Sequence, residues 1–378
     1  MKIDSHFDLL AIVVNTCKVL LTILKETKEI WMKQISIPKD FAEKQAKDAS
    51  FFYSEAWLNL ITRLYKHPIV PLLTTNQAGQ TTGFLPLCSV QSPLTGRRLI
   101  GLPYSDYYPL LASDDKTAND LIDQAIDLAQ RQKVRYLELR TGPNEILAKR
   151  TDLVENNSLV RPLISLPGDP DTAWSNLRRT QRQHVKKSRE LGVKVRVAQQ
   201  REDVAHYYRL HVQTYCQKHG VLAQPAQFFY GMWDSLAADG KMQLLLAEYE
   251  GRAIAGMILL MSDNKTFRYA YGATDKRYLY LAANNLFMWT AIKWGCENGY
   301  QVLDMGSTAR DDEGAMEFKR RWGAIPEPLP YYYYYPAAIG LVAKSEKSQT
   351  RHFLSSCWKH LPTAITGPLG GQLYRHMV

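Results

Sequence analysis

FFYSEAWLNL, residues 51–60, returns in shortened form as FFYGMWDSL at residues 228–236. Outward from this pair, the chain repeats itself in the same order. Residues 73–88 (LTTNQAGQTTGFLPLC) and 245–260 (LLAEYEGRAIAGMILL) each hold an apolar run, a polar turn at Gly79 or Gly251, and a second apolar run, the pattern of a β-hairpin. Residues 118–132 and 284–298 both read as amphipathic helices, followed by short strands at 134–139 (VRYLEL) and 300–305 (YQVLDM). Each of these strands runs into a glycine turn, at Gly142 and at Gly306. The offset stays at roughly 170 residues, far longer than the unit of a solenoid repeat.

Each copy therefore reads helix, hairpin, strand, long helix, strand. In the second copy the third strand covers 266–273, and the long helix starts at Asn284, which would cap it, and stops at Gly299. A helical crossover lets the strands it joins lie parallel. The expected fold class is α/β: two tandem copies of one domain, each a mixed sheet flanked by helices. Proline and glycine cluster at 162–170 and set the boundary, giving a first domain at 35–165 and a second at 166–336. An N-terminal amphipathic helix (1–34) and a basic helical tail (337–378) extend the pair.

Composition narrows the function classes. The chain has 378 residues, with 47 Lys+Arg against 37 Asp+Glu and a formal charge of +10. At 46% hydrophobic and 22% charged residues it is neither disordered nor fibrous. Its five cysteines form no Cys-x-x-Cys pair, and two isolated Cys-x-x-His pairs lie too far apart for a zinc module. No metal site is expected. Nothing resembles a Ser-His-Asp constellation or a phosphate-cradling glycine loop. Residues 7–24 are mostly apolar, but Asp8, Asn15 and Lys18 fall on one narrow stripe. That pattern fits a helix docked on the body or, alternatively, one lying on a membrane surface.

Most of the excess charge sits in residues 174–196, where eight basic residues face one acid, Glu190. Arg178, Arg182, Lys186 and Arg189 step by helical intervals along one face, which suits an anionic ligand, with a solvated surface as the plain alternative. Tyr271 and Gly272 end the third strand, and Asn284 and Asn285 open the helix beyond it, where free N–H groups favour anions. Asp304 and Ser307 lie at the carboxyl end of a strand, the usual ligand position in an α/β sheet. Asp304 reads equally as a turn cap. His211 and Thr214 share a helix face, Gln224-Pro225 opens the next helix, and Tyr331–Tyr335 read as a terminal strand.

Taken in order, Arg178-Arg-Thr-Gln-Arg182, His211-Val-Gln-Thr214, Gln224-Pro225, Gly251, Trp289, Leu303-Asp-Met-Gly306 and Phe318-Lys-Arg-Arg-Trp-Gly323, then the tyrosine strand, resemble the FemAB-like branch of the GNAT acyltransferase superfamily. The resemblance spans roughly residues 50–336 and implies two tandem GNAT-like domains. It implies transfer of an acyl or aminoacyl group onto an amine, with Phe318 and Lys319 near the donor. No polar helical hairpin is inserted, unlike the arm of many tRNA-using members, and residues 274–283 lack the glycine-rich pattern of CoA-binding ones.

The function expected is an acyltransferase acting on an amine of a cell-envelope precursor, of peptidoglycan or polysaccharide. Lys319, Asp304 and Tyr271 are the catalytic candidates. Arg178, Arg182, Lys186, His211, Thr214, Gln224, Ser307 and Phe318 would bind the acceptor, and Gly272, Asn284 and Asn285 the donor. No permanently bound cofactor is expected; the donor is either acyl-CoA or aminoacyl-tRNA. The acceptor would be a phosphate-bearing small molecule or a lipid-linked one. The alternatives are an acyl-CoA-dependent N-acetyltransferase acting on an amino sugar and a non-enzymatic basic RNA- or membrane-binding module. A cytoplasmic location is expected, with peripheral contact at the inner membrane face through the two extensions as a further reading.

Overall fold

The computed structural model describes residues 51–262, 264–336 and 373–376, all within one compact unit. The N-terminal helix and all but four residues of the tail lie outside the described residues. In chain order the strands are β1 (Ile69–Thr75), β2 (Thr81–Ser92), β3 (Gly96–Ile100), β4 (Leu111–Ala112), β5 (Leu137–Leu139), β6 (Val154–Asn156), β7 (Leu159–Ser165) and β8 (Lys194–Val197). They continue with β9 (Met242–Tyr249), β10 (Arg252–Met261), β11 (Thr266–Thr274), β12 (Val302–Asp304), β13 (Thr308–Ala309), β14 (Ile325–Pro328) and β15 (Tyr331–Tyr334).

Among the described residues these form two mixed sheets flanked by helices. The first runs β1-β2-β3-β5-β15-β6 with β4 beside β2; the second runs β13-β7-β12-β11-β10-β9-β8 with β14 also against β7. Each contains a hairpin, a third antiparallel strand, and then a parallel partner: β3 with β5, and β11 with β12. The helices Asp115–Arg131 and Ala283–Glu297 precede these parallel partners, as the duplicated pattern requires. Asp114 caps the first, its carboxylate accepting from the Thr117 N–H at 2.7 Å. The second starts one residue before Asn284, behind Ala282 in a left-handed conformation, so Asn284 is not its cap.

The expected boundary at 165/166 does not separate the two sheets. β7, from the first copy, lies antiparallel to β12 in the second sheet, while β15, from the end of the second copy, lies antiparallel to β5 in the first. Each copy thus lends its last strand to the other. Both strands end their copies, so periodicity alone gives no sign of which sheet each one joins. The motifs at 51–60 and 228–236 also meet: the helices Glu55–Tyr65 and Ala226–Met232 pack together, with Trp57 edge-on to Phe228 at 5.8 Å. Among the described residues no helix is long and apolar enough to cross a membrane.

Candidate active site

β11 and β12 pair only from Thr266–Val302 to Arg268–Asp304. β11 then continues to Thr274, whereas the chain leaving β12 turns away at Gly306. The divergence opens a cavity of about 340 Å³, lined among others by Asp106, Tyr215, Arg268, Tyr269, Gly272, Ser307 and Lys319. A bulge makes Ala270 the extra residue of β11, with Ile258 opposite Tyr271 and Leu259 opposite Tyr269. The Tyr269 hydroxyl lies over Gly272, within 1.8 Å of where a Cβ would stand, so a side chain there would force the Tyr269 ring to move.

The charges of the cavity come from both copies. Arg268 is paired with Asp106 and, at 3.3 Å, with Asp304, and its guanidinium lies over the Phe52 ring. Asp106 also accepts from the Ser307 N–H at 3.0 Å. Burial by itself would raise the Asp106 pKa; Arg268 and the donors of Ser307 outweigh it and hold the carboxyl below its usual range. Lys319 reaches in from the helix Glu313–Arg321 and donates to the Gly306 carbonyl at 3.1 Å and to the Thr308 hydroxyl. Burial drives the Lys319 pKa down to about 8, with Asp304 opposing the fall and Arg268 adding to it.

Asp106 is held by its own loop. The neighbouring Ser105 accepts from the Trp57 indole at 2.9 Å, its carbonyl accepts from Arg140 at 3.1 Å, and the Asp106 carbonyl accepts from the Tyr331 hydroxyl at 2.7 Å. Tyr331 belongs to the exchanged strand β15, so the strand exchange helps to bring a first-copy carboxylate into the second-copy cavity.

Of the residues expected from sequence, Lys319, Ser307 and Gly272 line the cavity together. Asp304 does not: its buried carboxylate accepts from the Gly306 N–H at 2.8 Å and pairs with Arg268, so it shapes the turn rather than facing a substrate. Tyr271 turns into an aromatic cluster, 5.5 Å from Phe229 and 5.8 Å from Phe228, and its hydroxyl accepts from Gln224 at 3.4 Å. Burial raises the Tyr271 pKa well above normal, so it stays a neutral phenol. His211 is fully buried, its ring tilted against Tyr215 with centroids 4.1 Å apart, and neither ring nitrogen has a hydrogen-bond partner among the described residues. Burial pulls its pKa to about 3, which makes it a neutral packing residue behind the cavity wall.

Thr214 both donates to and accepts from the Thr274 backbone, at 3.3 and 3.1 Å. Asn284 accepts from the Thr274 hydroxyl at 2.6 Å, and neither it nor Asn285 lines the cavity. Phe318 packs on the second-copy core beside Lys319. Arg178 and Lys186 are exposed, away from the cavity lining. Arg182 instead caps the helix Pro170–Asn176, donating to the Ser175 carbonyl at 2.8 Å and the Leu177 carbonyl at 2.6 Å. Sequence reasoning missed Asp106, Arg268, Tyr215 and Tyr269. Arg268 and Tyr269 lie in the strand already singled out, while Asp106 sits in a loop of the other copy with no local signature. Among the described residues no group of three or more His, Cys, Asp or Glu side chains could hold a metal ion.

Residues 175–320 match the family described as Acetyltransferase (GNAT) domain. Over 87 residues the chain is 31% identical to a lipid II:glycine glycyltransferase of Staphylococcus epidermidis; the match covers 21% of each, so the chain spans about a fifth of the length of the curated relatives it matches. The crystal structure of FemX superposes on 80% of this chain and 97% of its own, with a TM-score of 0.62 at 15% identity. The structure of L-PGS from Bacillus licheniformis covers 89% of this chain and 100% of its own, with a TM-score of 0.52 at 12% identity. These two likenesses speak for the fold. Residues 175–320 carry the match to the GNAT acetyltransferase domain, within a tandem fold that the chain shares with FemX.

Proposed function

We propose that the protein transfers an aminoacyl group onto an amine of a lipid-linked peptidoglycan precursor. The observation that carries this reading is the single cavity holding both the Asp106 carboxylate and the Lys319 ammonium where β11 and β12 part. An acceptor amine arrives as an ammonium, which Asp106 attracts and orients. After releasing its ammonium proton to solvent, the neutral amine attacks the donor carbonyl: a C–N bond forms, and the bond to the leaving oxygen or sulfur breaks. Negative charge develops on the carbonyl oxygen and then on the leaving atom, both of which favour a desolvated cation close by. Lys319, with its pKa near 8, is suited to hand its proton to the leaving group and to be recharged by the proton that the amine gives up.

The local similarity to a lipid II:glycine glycyltransferase supports the acceptor class and the aminoacyl donor. The match to an acetyltransferase domain family supports the second reading, an acyl-CoA donor. The exposed Arg178 and Lys186 are proposed to meet phosphates of the acceptor, where screening by salt should weaken them. The test supplies purified full-length protein with a lipid-linked peptidoglycan precursor and, in separate arms, charged tRNA or acyl-CoA carrying a labelled acyl group. Label should reach the acceptor from charged tRNA. Label from acyl-CoA alone would favour the second reading, and transfer from neither would overturn both.

A further inference from the structure

Residues 373–376 lie far along the chain from every strand, yet they are seated beside the cavity. Three consecutive backbone carbonyls each meet side chains of the first copy. The Tyr104 hydroxyl donates to the Tyr374 carbonyl at 3.2 Å, the His67 Nε2 meets the Arg375 carbonyl at 2.8 Å, and Thr95 and Arg98 both donate to the His376 carbonyl at 3.2 Å. The Tyr374 ring stacks on Tyr104 with centroids 5.3 Å apart and faces Tyr65 at 6.3 Å. A segment held only by burial of one ring would leave its carbonyls to water. Satisfaction of three in a row marks a built seat.

The seat connects to the reaction cavity through packed aromatic rings. Gln224 donates to the Tyr271 hydroxyl at 3.4 Å. Tyr271 lies in β11 between Ala270 and Gly272, both of which line the cavity. The aromatic floor is shared as well, since Phe228 stands 6.2 Å from Tyr104 and 5.8 Å from Tyr271.

We infer that residues 373–376 form a strap that fixes the β11 wall of the cavity, with Tyr374 as a positioning residue acting through Tyr104, Phe228 and Tyr271. The ring anchors the strap. The inference rests on the transfer reading for its kinetic consequence and is independent of it for its structural one.

The test uses the full chain with Tyr374→Ala and Tyr374→Phe. Tyr374→Ala should lower kcat/KM by about tenfold, and Tyr374→Phe, which keeps the ring, by about threefold or less. In the same samples, hydrogen exchange of the backbone amides at 269–274 should accelerate in Tyr374→Ala and stay near wild type in Tyr374→Phe, while the far strand β6 should be unchanged in both. Wild-type kinetics in an active Tyr374→Ala protein would overturn the strap, as would unchanged exchange at 269–274. If the wild-type protein transfers nothing from any donor, the proposed function fails, and the exchange measurement still decides the strap.

Discussion

In the first sheet β3 and β5 pair in parallel at Leu99–Leu137 and Ile100–Glu138, and the chain leaving β3 folds back at once into the space beyond them. The Gly101 N–H donates to the Glu138 carbonyl at 2.8 Å, the Tyr108 N–H donates to the Arg140 carbonyl at 3.0 Å, and Tyr108 is fully buried. In the second sheet the equivalent strands, β11 and β12, part after Arg268–Asp304 and leave a cavity. The loop that closes the first copy's opening also carries Asp106 into the second copy's cavity. One opening remains a cavity; the other is filled by the loop whose Asp106 carboxylate enters that cavity. The candidate site is thereby built from residues of both copies.

That comparison can be broken most sharply at Asp106. If the first copy is a working part of the site, Asp106→Asn should lower kcat/KM by about a hundredfold, because the acceptor ammonium loses its partner in a partly desolvated cavity. The fold should survive, since Arg268 retains Asp304. Activity near wild type, measured with saturating donor and varied acceptor, would reduce the first copy to scaffold.

Lys319 sharpens the second-copy side. Lys319→Met should cost at least about tenfold in turnover if it stabilises transition-state charge. Its pKa, lowered to about 8, sets a second signature. The ammonium is complete below that value and disappears as pH rises through it, so rates that need the cation should fall above pH about 8. Lys319→Arg stays charged far beyond this range and should lose the falling limb, even if its rate is reduced. A wild-type and a Lys319→Arg profile with the same falling limb would remove Lys319 as its source.

Lys319, Ser307 and Gly272 were legible because each sits in a motif beside a strand end, where periodicity already places ligands. The duplication was legible for the same reason: hairpins and crossover helices leave periodic marks. The exchange of β7 and β15 left none, because a strand's alternation says that one face is buried and not against which sheet. Asp106 was hidden with it, since the destination of its loop depends on that exchange. Asp304 follows its turn-cap reading, and Arg182 departs from the anion-binding one. A carboxylate before a glycine turn bonds the nearest backbone first, and so does an arginine in the first turn of a helix that follows another, at 2.8 Å to the Gly306 N–H and 2.6 Å to the Leu177 carbonyl. His211 shows a third limit, because a helical histidine facing aromatic rings looks the same in sequence whether it faces substrate or a neutral core.

The smallest effect expected is also the most direct test of the coupling between copies. Tyr331, on the exchanged strand, donates to the Asp106 carbonyl at 2.7 Å, and the Arg140 guanidinium lies over its ring at 5.4 Å. Tyr331→Phe keeps the ring and removes one hydrogen bond, worth about 1 kcal/mol, or roughly a fivefold change in rate if the bond serves the reaction. Loss of stability alone would show as a lower Tm with kcat/KM unchanged. A positional role should instead lower kcat/KM by about twofold to fivefold and do so only while Asp106 is present. In the Asp106→Asn background the same Tyr331→Phe change should then have no further kinetic effect. Additive losses in that double-mutant cycle would mean that the exchanged strand supports the fold without speaking to the site through Asp106.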